Sequence, residues 1–170
     1  MIGREAMQRI NGLAPIEAPD ARMLILGSMP GAASLAAGQY YAYPHNHFWQ
    51  LVFAMLREED PAEYGARIGL LRKRKIALWD VIQSCERTGS LDKDIRNAAP
   101  NDIPAFLYAH ADIKTVCFNG TTAQRMYDRN FERLDDMRYI LLPSSSPVPR
   151  RHIRTLADKL PAWAVLKAYI

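Results

Sequence analysis

Four short apolar runs, each closed by a polar or glycine-containing turn, constrain this chain more than any other feature. They are Met23-Leu24-Ile25-Leu26, Ile76-Ala77-Leu78-Trp79, Thr115-Val116-Cys117-Phe118 and Tyr139-Ile140-Leu141-Leu142. Continuous apolar runs of this length are the pattern of strands buried on both faces, as in parallel sheets. Between them lie helix-like stretches over 46–56, 61–71, 103–109 and 121–130, with a terminal helix expected from about Arg151 to Tyr169. Strands alternating with helices imply an α/β fold, read here as a three-layer α/β/α sandwich on a four-stranded, mostly parallel sheet. At 170 residues the chain suits one domain. Residues 1–21, with Pro15 and Pro19, read as a lead-in, and 22–170 as the single domain.

Composition excludes several classes. Hydrophobic residues make up 49% and charged residues 24%, the balance of an ordinary globular protein. No apolar run approaches the roughly 20 residues needed to span a bilayer, and early Arg4, Glu5 and Arg9 leave no signal-peptide core. A cytoplasmic protein is expected, with no membrane partner. Cys85 and Cys117 are the only cysteines, too few for a disulfide framework or a cysteine-rich metal site, so no metal and no cofactor are expected. The net charge of +4 favours a polyanionic partner. Its cations gather at Arg72-Lys73-Arg74-Lys75 and at Arg150-Arg151-His152 with Arg154, clusters that are equally read as solvated faces.

In open parallel sheets, ligands bind beyond the carboxyl ends of the strands. Those positions hold Gly27-Ser28-Met29-Pro30-Gly31, Asp80, Asn119-Gly120 and Pro143-Ser144-Ser145-Ser146-Pro147. The first loop has neither the Walker nor the dinucleotide spacing of glycines, and an ordinary turn is the competing reading. Tyr40-Tyr41-Ala42-Tyr43-Pro44-His45-Asn46-His47-Phe48-Trp49 packs five aromatic rings among polar tips. Such planes with amides nearby suit a flipped base, and the same stretch reads as a helix start capped by Asn46 with Phe48 and Trp49 in the core. His45 and His47 lack the further ligands a metal pair needs. The serine loop can grip phosphates through hydroxyls and N–H groups, with Arg150 and Arg151 adding sequence-blind attraction at a basic helix start. A serine nucleophile is the rival reading, but no Gly-x-Ser-x-Gly elbow is present.

Assembled in order, these motifs resemble the hypoxanthine-DNA glycosylases, a branch of the uracil-DNA glycosylase superfamily. The likeness spans about Arg22 to Leu156. It rests on Gly27-Ser28-Met29-Pro30 with Ser34-Leu35, Tyr40-Tyr41 leading to Asn46-x-Phe48-Trp49, Leu78-Trp79-Asp80-Val81 with Cys85 and Gly89-Ser90-Leu91-Asp92, Phe118-Asn119-Gly120, and Leu142-Pro143-Ser144-Ser145-Ser146-Pro147. The first and last motifs depart from the superfamily pattern. Met29 stands where relatives carry a polar catalytic residue, and Ser144 where many have histidine, which speaks against the usual uracil route.

The resemblance implies a monofunctional glycosylase acting as a monomer on DNA that contains deaminated bases, above all hypoxanthine, and leaving an abasic site. It implies Asn46 as the catalytic residue. Phe48 is then expected to stack on the base, the Gly27, Ser28 and Met29 loop to hold it, and Asp80 with Asn119 to read its edge. Ser144, Ser145, Ser146, Arg150 and Arg151 would hold DNA, with Val148-Pro149 as a wedge or a plain phosphate-binding turn. Three other readings stay open: a uracil or mismatch-specific glycosylase, a catalytically silent DNA-binding module, and a hydrolase of free nucleosides.

Overall fold

The computed structural model describes residues 7–153 and 155–170, so Arg4, Glu5 and Arg154 lie outside the described residues. Its centre is a parallel sheet of β2 (Met23–Gly27), β3 (Ile76–Asp80), β6 (Thr115–Asn119) and β7 (Arg138–Leu142), in the order β3-β2-β6-β7. All three pairings are parallel, with Gly27 opposite Asp80 and Asn119 opposite Leu142. The four apolar runs are these strands.

Alternation along the strands builds the layers, because successive side chains point to opposite faces. Met23, Ile25, Ile76, Leu78 and Cys117 join a core with α2 (Phe48–Leu56) and α6 (Leu156–Ala164), whose Trp163 is fully buried. Leu24, Leu26, Ala77, Val116 and Phe118 face α4 (Ile103–Ala109) and α5 (Thr121–Asn130) on the other side. This is the expected sandwich. Helix α3 (Tyr64–Lys73) leads into β3, and α1 (Ala32–Ala37) follows the loop after β2.

The chain also forms a second sheet, which no apolar run announces. It comprises β1 (Arg9–Asn11), β4 (Ile82–Glu86) and β5 (Arg96–Pro100), antiparallel in the order β1-β4-β5. Residues expected as a lead-in are therefore built into the fold: β1 pairs with β4, and buried Ile16 bridges to Leu78 of the main sheet. These strands are short and polar, so they carry no apolar run.

Helix starts also shift. Asn46 stands before α2, which opens at Phe48. Glu63 caps α3 by accepting from the N–H groups of Gly65 and Ala66, at 2.9 and 2.7 Å, which delays the helix from the expected residue 61 to Tyr64. The terminal helix begins at Leu156, not Arg151, because Thr155 and Asp158 form a capping box there. It gives way to a 3₁₀ turn, Val165–Tyr169, four residues after Pro161, whose missing N–H weakens the helix. Arg150 and Arg151 thus lie in an exposed loop rather than at a helix start.

Candidate active site

Two strand ends and the aromatic segment converge through one amide. Asn119 accepts from the Ser145 N–H at 2.8 Å, and its Nδ2 donates to the Ser145 hydroxyl and to the Tyr41 hydroxyl, both at 2.9 Å. Every hydrogen of this amide is thereby committed, so Asn119 holds neighbours in place rather than presenting a free donor. Glycine at 120 permits the approach: its φ is +95°, and a Cβ there would meet the Ser144 Cβ at 2.9 Å.

Tyr41 lies at the centre. Its ring stacks on Phe48 with centroids 3.9 Å apart and planes 14° off parallel. Phe48 is fully buried, with Trp49 and Trp163 edge-on to it, so no face is open for a base. Tyr41, by contrast, is only partly buried. Tyr41 holds a left-handed backbone at φ 52°, strain that recurs at functional sites. Burial, then the nearby Asp80 charge, push its hydroxyl well above the usual tyrosine range, so it stays protonated.

The floor is Gly27 beside Asp80. A Cβ on Gly27 would collide with Asp80 Oδ1 and lie 2.9 Å from the Tyr41 hydroxyl, so only glycine leaves room for both. Asp80 is 4% exposed. Burial, reinforced by the charge of Asp92 and opposed by Arg87, pushes its carboxyl up to about 7. Among the described residues, the buried side-chain polar atoms without a partner are Asp80 Oδ2 and Arg87 Nη1. Orphaned buried polar groups are rare, and both belong to this end of the molecule.

The loop after β2 is clamped from residues 87–92. Arg87 donates to the carbonyls of Pro30 and Gly89, Ser90 accepts from the Ala32 N–H at 2.9 Å, and Ser28 donates to Asp92 at 2.8 Å. The Ser28 hydroxyl is thus engaged. Met29 is buried with Ile82, Cys85 and Ile95 in a small core of its own, so its side chain is turned into the fold. Only the backbone of this loop remains to meet a ligand.

Asn46 sits where two segments meet. Its Oδ1 accepts from the Phe48 N–H at 2.9 Å, and among the described residues its Nδ2 has no partner. Next to it, His47 donates its N–H to the Ser145 carbonyl at 2.9 Å. Lys159 of α6, 3% exposed, donates to the Ser146 carbonyl at 2.9 Å and to His47 Nδ1 at 3.1 Å. Burial and the Lys159 cation lower the proton affinity of His47, which suits an accepting imidazole. Hence the Asn46 segment, the serine loop and α6 form one block on the strand ends.

The serines divide by exposure. Ser145 is 1% exposed and bonded to Asn119, so its hydroxyl is inside the fold, whereas Ser144 and Ser146 are half-buried and accept from N–H groups two residues ahead. Val148, 51% exposed, stands beyond them beside exposed Arg150 and Arg151. Among the described residues no group of three or more metal-ligating side chains occurs. Nor is any helix among them long and apolar enough to cross a membrane.

The residues not named from sequence are Tyr41, Arg87, Asp92 and Lys159. Tyr41 and Asp92 lay inside the motifs already marked. Arg87 and Lys159 are missed because the ties that bring them to the site, to the Pro30 carbonyl and to His47, reach 57 and 112 residues along the chain.

Comparison with known proteins agrees with this architecture. The model of the Uracil DNA glycosylase superfamily matches residues 14–167. A Methanosarcina barkeri protein named Hypoxanthine DNA glycosylase is 31% identical over 154 residues, 90% of this chain and 94% of that one. A Methanosarcina acetivorans protein of the same name is 37% identical over 133 residues, 76% and 81% of the two chains. A solution NMR structure from Methanosarcina acetivorans, provisionally described as a uracil DNA glycosylase, superposes with a TM-score of 0.79 at 28% identity. It covers 95% of this chain and 99% of its own. With the fold, the strand-end site and the family match in agreement, the chain belongs to the uracil DNA glycosylase superfamily.

Proposed function

We propose that this protein is a monofunctional DNA glycosylase that hydrolyses the N-glycosidic bond of deaminated bases, hypoxanthine first, and leaves an abasic site. The observation that carries the reading is the partly exposed Tyr41, its ring backed by Phe48 and its hydroxyl pinned by Asn119, beside a buried carboxyl with an unpartnered oxygen. A flat base extruded from the duplex needs such a platform and such an edge.

Asp80 separates hypoxanthine from adenine by charge. The ring N1 of hypoxanthine carries a hydrogen and donates, whereas that of adenine presents a lone pair. An ionised Asp80 accepts from the first and repels the second. The backbone N–H groups of the Gly27–Gly31 loop, or the Tyr41 hydroxyl, supply the donor to the base carbonyl.

In the reaction the C1′–N9 bond breaks while positive charge grows on the sugar and negative charge on the base. The free Nδ2 and the remaining capacity of Oδ1 of Asn46 orient water toward C1′, which gains the hydroxyl; the base leaves protonated. Arg150 and Arg151 meet phosphates, and Val148-Pro149 fill the gap left in the stack. No lysine is assigned to the sugar, so no Schiff base and no strand cleavage follow. The enzyme works as a cytoplasmic monomer without a metal.

Duplexes containing hypoxanthine, xanthine or uracil, incubated with the protein and then treated with alkali, test this. Cleavage at hypoxanthine, lost about 10²-fold or more in Asn46→Ala, supports the reading. Faster cutting at uracil would move the chain to the uracil class, and binding without cutting in the wild type would leave a silent module.

A further inference from the structure

The cations that the catalytic reading leaves unused lie at the opposite pole. Each strand of the parallel sheet enters from a basic residue: Lys75 precedes β3, Arg22 precedes β2, Lys114 precedes β6, and Arg138 opens β7. Their backbones are bonded side by side: Arg22 donates to the Lys75 carbonyl at 2.8 Å, Lys114 to that of Arg22 at 3.1 Å, and Arg138 to that of Lys114 at 2.9 Å. The four cations thus form one row across the sheet edge.

Two adjoining clefts, sharing Arg22 and Lys75, run along this row, and Lys73 and Lys167 flank it. Arg22, Lys114 and Arg138 are exposed. The lining carboxylates are Asp20, which pairs loosely with Lys75 at 3.7 Å, and Asp112. Seven cations line the two clefts, of which Arg74 is paired with Glu58, against the carboxylates of Asp20 and Asp112, so positive charge is in excess at this end. Exposed cations on adjacent strands repel, and no ion pair among the described residues neutralises Arg22, Lys114 or Arg138, although the Arg138 guanidinium rests over the Tyr169 ring, 4.2 Å from its centre.

We propose that this edge is a second phosphate-binding surface, which holds an undamaged segment of duplex DNA while the strand-end site engages another. Strands about 4.8 Å apart set the outer cations about 14 Å from each other. That width reaches phosphates on both sides of a groove about 12 Å wide, and long lysine and arginine stems add reach. The surface is sequence-blind and lets the protein pass between DNA segments without full release. The choice of DNA over another polyanion rests on the glycosylase reading above.

Full-length protein and its Arg22→Gln/Lys75→Gln/Lys114→Gln/Arg138→Gln variant are compared, with the milder pair Lys114→Gln/Arg138→Gln as a second variant against loss of fold. The probes are a labelled undamaged duplex, an unlabelled duplex competitor and polyglutamate. In the wild type, dissociation of the labelled duplex accelerates as competitor concentration rises. In the fourfold variant it becomes independent of competitor, and the slope of log K against log salt falls by about 2 or more. The pair gives an intermediate change, and single-turnover excision from a short hypoxanthine duplex at saturating enzyme stays within about twofold.

Unchanged slope and unchanged competitor dependence in both variants overturn the proposal. So does a variant that loses only polyglutamate, which assigns the surface to an acidic protein. Absence of excision in the wild type refutes the catalytic reading instead, and leaves the salt slope readable.

Discussion

The ring of Tyr41 lies 3.9 Å from that of Phe48, nearly parallel, with its hydroxyl held by Asn119 at 2.9 Å. Two aromatic residues in one motif therefore divide the work. Phe48, fully buried, is the wall, and Tyr41, partly exposed, is the surface proposed for the base.

Substitutions separate the two. Phe48→Ala empties a packed position between α2 and α6 and destabilises by about 3–5 kcal/mol, read as a lowered midpoint in urea. Tyr41→Ala costs less stability, because Tyr41 is partly exposed whereas Phe48 is fully buried. It raises KM for a hypoxanthine duplex and lowers kcat/KM by about 10-fold or more. A Tyr41→Ala enzyme with unchanged kcat/KM would remove the platform from the mechanism.

Gly27→Ala tests the floor. The added methyl meets Asp80 and the Tyr41 hydroxyl together, and neither can retreat far, since one is buried and the other is tied to Asn119. Excision falls about 100-fold while the far-ultraviolet spectrum stays that of the wild type. Gly31→Ala, whose Cβ would touch only Ser90 at 3.5 Å, serves as the control and keeps activity near normal.

How far the sequence discloses this site follows from distance along the chain. The apolar runs reveal β2, β3 and β6 because these strands are buried on both faces or nearly so, and burial leaves a compositional mark, whereas the edge strand β7 has an apolar run although only Leu142 of it is buried. The second sheet leaves none: Arg9–Asn11 and Arg96–Pro100 are exposed or half-exposed, and Arg9–Asn11 pairs with a strand more than 70 positions away in the chain. Asn46, Asp80 and Asn119 are marked because they sit at strand ends or inside a dense aromatic motif. Which ring stacks, however, depends on a backbone turn at Tyr41 that puts its side chain between Phe48 and Asn119. Nothing in the order of residues 40–49 distinguishes Tyr41 from Phe48.

Lys159 is the long-range tie. It supplies the hydrogens for the Ser146 carbonyl and for His47, so Lys159→Met leaves two part-buried acceptors without donors and costs about 1–3 kcal/mol. As a positioning residue it acts through the Asn46 segment and the serine loop. Its loss lowers kcat more than it raises KM. Equal effects of Lys159→Met on melting temperature with no change in kcat would confine the residue to stability.

Asp80 links pH to both stability and choice of base. Its folded carboxyl titrates at about 7, against about 3.9 in the unfolded chain. Below about pH 4 both states carry the proton and Asp80 adds no pH dependence. Between about 4 and 7 the unfolded chain ionises first and the folded protein loses stability as pH rises, by about 1.4 kcal/mol per pH unit and about 4 kcal/mol in all. Above 7 the loss is complete. Asp80→Asn abolishes this slope, so urea midpoints of wild type and variant diverge steadily from pH 5 to pH 7, with the variant gaining. Activity runs the other way: hypoxanthine excision by the wild type rises through pH 7 as the acceptor ionises. A protonated carboxyl can pair with adenine by donating to its N1, so discrimination against adenine weakens below that pH. The amide of Asp80→Asn can turn to suit either base, and the variant discriminates about 10-fold less at every pH. Parallel pH profiles for wild type and Asp80→Asn, in stability and in base preference alike, would take Asp80 out of base recognition.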